Sequence, residues 1–235
     1  MTAPGFLPLR QLVLVDLLGL MLAVRPGERA VIALDGPDGV GKSRLAAELV
    51  ALAPHVAGRA LHAVSVDGFH HPRAERYARG RTGQTCYRDS YDYDALRRAV
   101  LWPFRAGQDI VPAVFDVARD QPVSPDPVAL SQDAILLVEG VFLRRPELRG
   151  EWDATCLVTA PESVTVPRGN ARFPASRVSG DEVPGHPANA RYVEAQRLYR
   201  LQARTWAPEW IVDNTDLARP ELVWPDPDEP QWFDQ

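Results

Sequence analysis

"ALDGPDGVGKSRLA", residues 33–46, decides how the rest of the chain is read. It contains the spacing G-x-x-x-x-G-K-[ST] in Gly36, Gly41, Lys42 and Ser43. An apolar run, "RAVIALDG" (29–36), precedes it, and a helix-forming run with one apolar face, "KSRLAAELVALA" (42–53), follows. Strand, glycine loop and helix in that order make an anion cradle. Glycines let consecutive backbone N–H groups turn inward, and the helix N-terminus adds partial positive charge. The stretch Gly36, Pro37, Asp38, Gly39, Val40, Gly41, Lys42, Ser43 and Arg44 is therefore expected to hold nucleotide phosphates, with Lys42 on the β and γ phosphates and Ser43 on Mg²⁺.

A residue count supports this reading. Of the 26 basic residues only one is a lysine, and it is Lys42. Arginine serves for generic positive charge elsewhere. A lysine survives where a compact ammonium on a flexible stem is needed and a planar guanidinium would not fit.

At 235 residues, with 46% hydrophobic and 24% charged residues, the chain suits one globular domain. The net charge of −5 argues against a nucleic-acid surface. Cys86 and Cys156 have no metal-ligand partners at useful spacing, and Cys156 in "ATCLVTA" reads as a small buried hydrophobe. "LVLVDLLGLMLAV" (12–24) contains Asp16 and is shorter than the roughly 20 residues of a membrane span. It reads as a packed N-terminal helix (about 6–24) of a cytoplasmic protein.

Further along, "ALHAVSVD" (60–67), "DAILLVEG" (133–140), "DATCLVTA" (153–160) and "EWIVDN" (209–214) read as strands. Residues 95–104, with Asp94 as cap, and 189–206 read as helices, while 110–118 reads as a short strand or hairpin. Residues 68–93, rich in Gly, Arg, Tyr and His, read as a functional loop, and 161–188 as a segment broken by Pro and Gly. Alternating strands and helices predict an α/β, three-layer fold with a mainly parallel sheet, and the phosphate loop makes this a P-loop NTPase fold. The first phosphate-loop unit is expected to be a parallel βαβ crossover.

Open parallel sheets bind ligands at the carboxyl ends of their strands. Three strands end in acids, at Asp35, Asp67 and Glu139, which places all three along the phosphate-loop edge. Asp35 reads either as part of that edge or as a brace for the loop. Glu139 suits an acid that holds Mg²⁺, and Asp67 suits a base facing an acceptor hydroxyl.

"GPDGVGKS", "VSVDGFHHP", "YRDSYDYDAL", "LVEGVFL", "ARYVEAQRLY" and "IVDNTDL" together resemble the uridine kinase-like branch of the P-loop nucleoside kinases, relatives of which include phosphoribulokinase and one type of pantothenate kinase. The resemblance covers about residues 25–220. It implies Mg²⁺-assisted transfer from ATP to a hydroxyl of a small molecule, most typically uridine or cytidine. It further implies that Asp67 is the catalytic base and Glu139 the Mg²⁺-associated acid. His70 and Phe115 would contact substrate from acceptor loops at about 68–93 and 104–124, and Gln196 belongs to the same expected set. Either Asp89 or Asp92 would grip ribose hydroxyls. The resemblance alone implies a small lid region at about 161–188, with Arg168 and Arg172 as its cations and Arg172 also touching substrate.

The chain departs from the family pattern in that lid. Pro167 and Gly169 disfavour a regular helix, Phe173 replaces an aspartate, and Arg177 is a substitute cation. Beside Phe115, Val117 and Asp120 stand where relatives carry an aromatic and a histidine. The alternatives are the same chemistry on pantothenate or a sugar, or a nucleotide-binding protein without transfer activity; a homo-oligomer is left open.

Overall fold

In the computed structural model, residues 9–56 and 58–226 are described. The first residues of the expected N-terminal helix (6–8) and the end of the acidic tail (227–235) lie outside them. The elements in chain order are α1 (Leu9–Leu22), β1 (Ala30–Asp35), α2 (Lys42–Val56), β2 (Leu61–Ser65), α3 (Arg73–Tyr77), α4 (Gly83–Asp89), α5 (Tyr93–Leu96), α6 (Trp102–Arg105), β3 (Phe115–Asp116), β4 (Gln121–Pro122), β5 (Ile135–Gly140), β6 (Ala154–Thr159), α7 (Glu162–Ala171), α8 (Ala190–Ala203), β7 (Trp210–Asp213) and β8 (Glu221–Val223).

Six strands form one sheet in the order β2-β5-β1-β6-β7-β8. The first five run parallel, and β8 closes the edge antiparallel to β7. The expected mainly parallel sheet is present. The first crossover, however, skips a position, because β5 lies between β1 and β2.

Period-2 alternation sorts the strand residues into two cores. Ile32, Leu34, Leu137 and Cys156 face α1 and α2, where Leu14, Leu17, Leu18 and Met21 form the buried stripe of α1. Val31, Ala33, Leu136 and Val138 face Leu96, Val100, Phe104 and Tyr199 of the α5–α6 and α8 layer. Strands buried on both sides explain why the sequence shows continuous apolar runs instead of alternation. Cys156 is fully buried, and burial pushes its thiol up. Among the described residues no helix is long and apolar enough to cross a membrane.

Several local expectations are corrected. Residues 68–93 contain α3 and α4; Thr82 opens α4 by a capping box with Thr85, a polar start that composition alone does not reveal. Asp92, two residues before the expected cap Asp94, accepts from Ala95 N at 2.8 Å and starts α5. A π turn, Arg97–Leu101, joins α5 to α6. Pro103 cannot donate back to Ala99, whose carbonyl instead accepts from Val111 N at 2.9 Å. The 110–118 stretch, as expected, contributes a short strand, β3, to a two-strand hairpin. Residues 221–223, which carry no expectation from the sequence, form the edge strand β8.

The largest correction is α7, which forms through Pro167 and Gly169. Tertiary contacts outweigh propensity there. Thr165 is buried, the Arg168 guanidinium donates to the carbonyls of Asn214 (2.9 Å) and Thr215 (2.6 Å), and Asn170 donates to the carbonyl of Asp181 (2.7 Å).

Candidate active site

The phosphate loop runs from the end of β1 into α2, as the motif requires. Gly39 sits at φ +75°, and a Cβ built there would lie 2.1 Å from the Thr165 carbonyl and 2.6 Å from Gly169 N. The loop is thus backed directly against α7, and only a residue without a side chain permits that approach. Gly41, at φ +102°, is fenced by the Asn214 side-chain amide, which donates to the Val40 carbonyl at 2.7 Å. Lys42 is buried, and its Nζ donates to the Pro37 carbonyl at 2.8 Å, curled back over the loop.

Asp35 does not face this cradle. It is fully buried, and its Oδ1 accepts from Leu143 N at 3.2 Å while Oδ2 accepts from the Tyr199 hydroxyl. Burial raises its carboxyl pKa; Arg144 and the Tyr199 bond oppose the rise. Of the two readings, the brace is the one the geometry supports.

Ser43 Oγ donates to Glu139 Oε1 at 3.1 Å. β5 lies next to β1, which brings a strand-end carboxylate 96 positions away onto the loop's hydroxyl. A hydroxyl beside a carboxylate is an oxygen donor set suited to a hard divalent cation. Among the described residues no group of three or more His, Cys, Asp or Glu could hold a metal, so an ion here would rely on Ser43, Glu139, water and bound phosphate.

Asp67 lies not in β2 but in a 3₁₀ turn, Val66–Phe69, whose cap Ser65 Oγ accepts from Asp67 N at 3.3 Å. Its Oδ1 accepts from the Tyr91 hydroxyl at 3.1 Å and stands 3.6 Å from His70 Nε2. His70 is fixed in turn by a 2.9 Å contact between Nδ1 and the Ser90 carbonyl and by stacking on Tyr91 at 4.3 Å. Asp67 is exposed, next to the phosphate-loop edge of the sheet. Burial would raise its pKa, but the His70 hydrogen bond and charge, Lys42 and the Tyr91 bond together hold it below the ordinary value. Asp38, within electrostatic reach of it, shifts the other way, raised by burial and by Asp67 against Lys42, Arg172 and His70.

The remaining expected residues divide. Arg172 caps the end of α7, exposed, within electrostatic reach of Asp38. Arg168 is committed to backbone carbonyls, and Arg177 pairs with Asp181 at 2.7 Å. Asp89 is paired with Arg79, and Asp92 is committed to its helix cap. Phe115 is buried in the β3–β4 hairpin, and Gln196 is half-buried on α8. Asp120 accepts from Arg73 N at 2.8 Å. In the sequence, Tyr91 and Tyr93 alternate before a helix, a pattern that fits stacking on a ligand or packing and carries no sign that the Tyr91 hydroxyl meets Asp67.

No family model matches the chain. It is 34% identical over 125 residues to a pantothenate kinase of Nocardioides sp., covering 49% of this chain and 36% of that one. It is 33% identical over 132 residues to a pantothenate kinase of Streptomyces avermitilis, covering 53% and 38%. The match thus spans little more than a third of these relatives' length. Among solved structures, a possible uridine kinase from Bacillus stearothermophilus superposes with a TM-score of 0.66 at 22% identity, over 86% of this chain and 98% of that one. A D-glycerate 3-kinase from Cryptococcus neoformans superposes with a TM-score of 0.60 at 14% identity, over 93% and 100%. The chain has the P-loop kinase fold, shared with uridine kinase-like proteins.

Proposed function

We propose that the protein transfers a phosphoryl group from ATP to a hydroxyl of a small molecule. The observation that carries this reading is Asp67: an exposed carboxylate, oriented by Tyr91 and His70 within electrostatic reach of Lys42. A protein that only bound nucleotide would have no use for an oriented base beside its phosphate loop. Residues 36–44 would hold the phosphates of ATP, and Mg²⁺ on Ser43 and Glu139 would offset their charge. Asp67 would take the acceptor's proton as its oxygen bonds to phosphorus and the bond to the departing ADP breaks. Lys42 and Arg172 would oppose the negative charge of the transferring group.

The similarity to pantothenate kinases and the shared fold with uridine and glycerate kinases support the reaction class. Because Asp89 and Asp92 are both engaged elsewhere, the geometry weighs against a gripped ribose and towards the non-nucleoside alternative.

The test is Asp67→Asn. ATP binding measured by calorimetry should be retained while turnover on the best acceptor falls about 10²- to 10⁴-fold. Lost ATP binding would recast Asp67 as a structural or metal acid, and retained turnover would remove it from the mechanism.

A further inference from the structure

Residues 71–83 and the start of α8 bring together a second group of charged and aromatic side chains that the transfer chemistry does not use. Tyr77, the last residue of α3, lies under three guanidinium groups: Arg81 at 4.4 Å from the ring centre, Arg191 at 4.7 Å and Arg76 at 5.5 Å. Arg191 also lies 5.9 Å from the Tyr192 ring. These arginines are not equivalent. Arg76 donates to the His71 carbonyl at 2.8 Å and stands 3.7 Å from an Asp120 oxygen. Arg81 and Arg191 form no ion pair among the described residues, and Arg191 Nε is buried with no hydrogen-bond partner there. Elsewhere in this loop Arg79 pairs with Asp89. Among the described residues, two adjacent cations thus stack on one phenol with no carboxylate ion-paired to either. Burial would raise the Tyr77 pKa, yet Arg191 and Arg81 draw it below its ordinary value.

The cluster lies near the phosphate loop. Asp38 of the phosphate loop lies within electrostatic reach of both Cys86 and Tyr192, and both of these feel Arg191. α3 follows directly on the turn that carries Asp67 and His70, and α4 is tied to α8 by Gly83 N donating to Glu194 Oε2 at 2.9 Å. The arginines are therefore carried by the two elements, α3–α4 and α8, that adjoin the Asp67–His70 turn and come within electrostatic reach of the phosphate loop.

We propose that Arg81 and Arg191, packed on Tyr77, bind an anionic group of the phosphoryl acceptor, a carboxylate or a phosphate monoester. The proposal rests on the kinase reading for the word acceptor, but the anion site can be measured without catalysis. Guanidinium forks pair with planar carboxylates and with phosphates by two parallel N–H donors, and stacking on tyrosine holds them ready for that.

The experiment is equilibrium binding by calorimetry to the full chain, with an ATP analogue that cannot transfer present throughout. The probes are matched pairs of acid and neutral counterpart: D-glycerate with glycerol, pantothenate with panthenol, and ribose 5-phosphate with ribose. At least one acid should bind, its neutral partner should bind about tenfold more weakly or worse, and Arg191→Gln and Arg81→Gln should each remove most of that difference. The glycerate and pantothenate arms separate a carboxylate from the phosphate monoester of the ribose arm. Arg191→Lys should restore part of the preference, which a purely structural role would not do. Arg81 is exposed, so its variant tests the site even if Arg191→Gln fails to fold. Equal binding of acid and neutral partner, no binding by any acid, or an unchanged preference in Arg81→Gln would overturn the proposal. An acid that binds here yet yields no ADP with ATP would instead sink the kinase reading and leave the anion site standing.

Discussion

The Tyr91 hydroxyl donates to Asp67 Oδ1 at 3.1 Å, across 24 positions of sequence, from a ring that is itself stacked on His70. The His70–Tyr91 bridge pairs the two backbones and so sets both rings against the same carboxylate. The proposed base is therefore aimed by a small pre-built frame. Its aim does not depend on bound substrate.

Tyr91→Phe keeps the stack and deletes the bond. A hydrogen bond to a charged group is worth about 1.5–3 kcal/mol, so turnover should fall by about tenfold or more. ATP affinity should not change. A base must be ionised, so activity is lost as pH falls through its pKa. With that pKa held below the ordinary value, the acid limb set by Asp67 should lie below about pH 4. The variant should move that limb upward, and a pH–rate profile of kcat checks it.

Lys42→Ala should lower turnover about 10²- to 10³-fold, the usual cost of removing one preorganised electrostatic donor. Lys42→Arg should be nearly as damaging, because the ammonium is buried and curled onto the Pro37 carbonyl where a planar fork has no room. Steady-state kinetics of the two variants side by side decide this. Near-normal turnover by the arginine form would refute the explanation of the single lysine.

The two lid arginines should separate. Arg168→Ala breaks two bonds to the carbonyls of Asn214 and Thr215 and should cost about 2 kcal/mol, a drop of about 4–8 °C in Tm for a chain this long. Arg172→Ala, exposed at the end of α7, should leave Tm nearly unchanged while kcat falls about 10²-fold or more. Thermal unfolding and turnover measured on both proteins test the split. The reverse pattern would make Arg168 the reacting cation.

What the sequence determined by itself was local and periodic: the glycine spacing from Gly36 to Ser43, the doubly buried runs that became β1, β5, β6 and β7, and the acids that close them. Those features are written within a few neighbouring residues, where backbone sterics and burial act directly. Tertiary structure alone decided the rest. It made a helix of residues 162–171, since the anchors on Arg168 and Asn170 outweigh the cost of an internal proline. It sent Asp35 into the core to Tyr199 and brought Glu139 onto Ser43, although both acids end strands in the same way, because a strand-end acid's partner depends on which neighbours the sheet order supplies. It also committed Asp89 to Arg79, while Arg81 forms no ion pair among the described residues, a difference of packing that residue type and spacing do not encode.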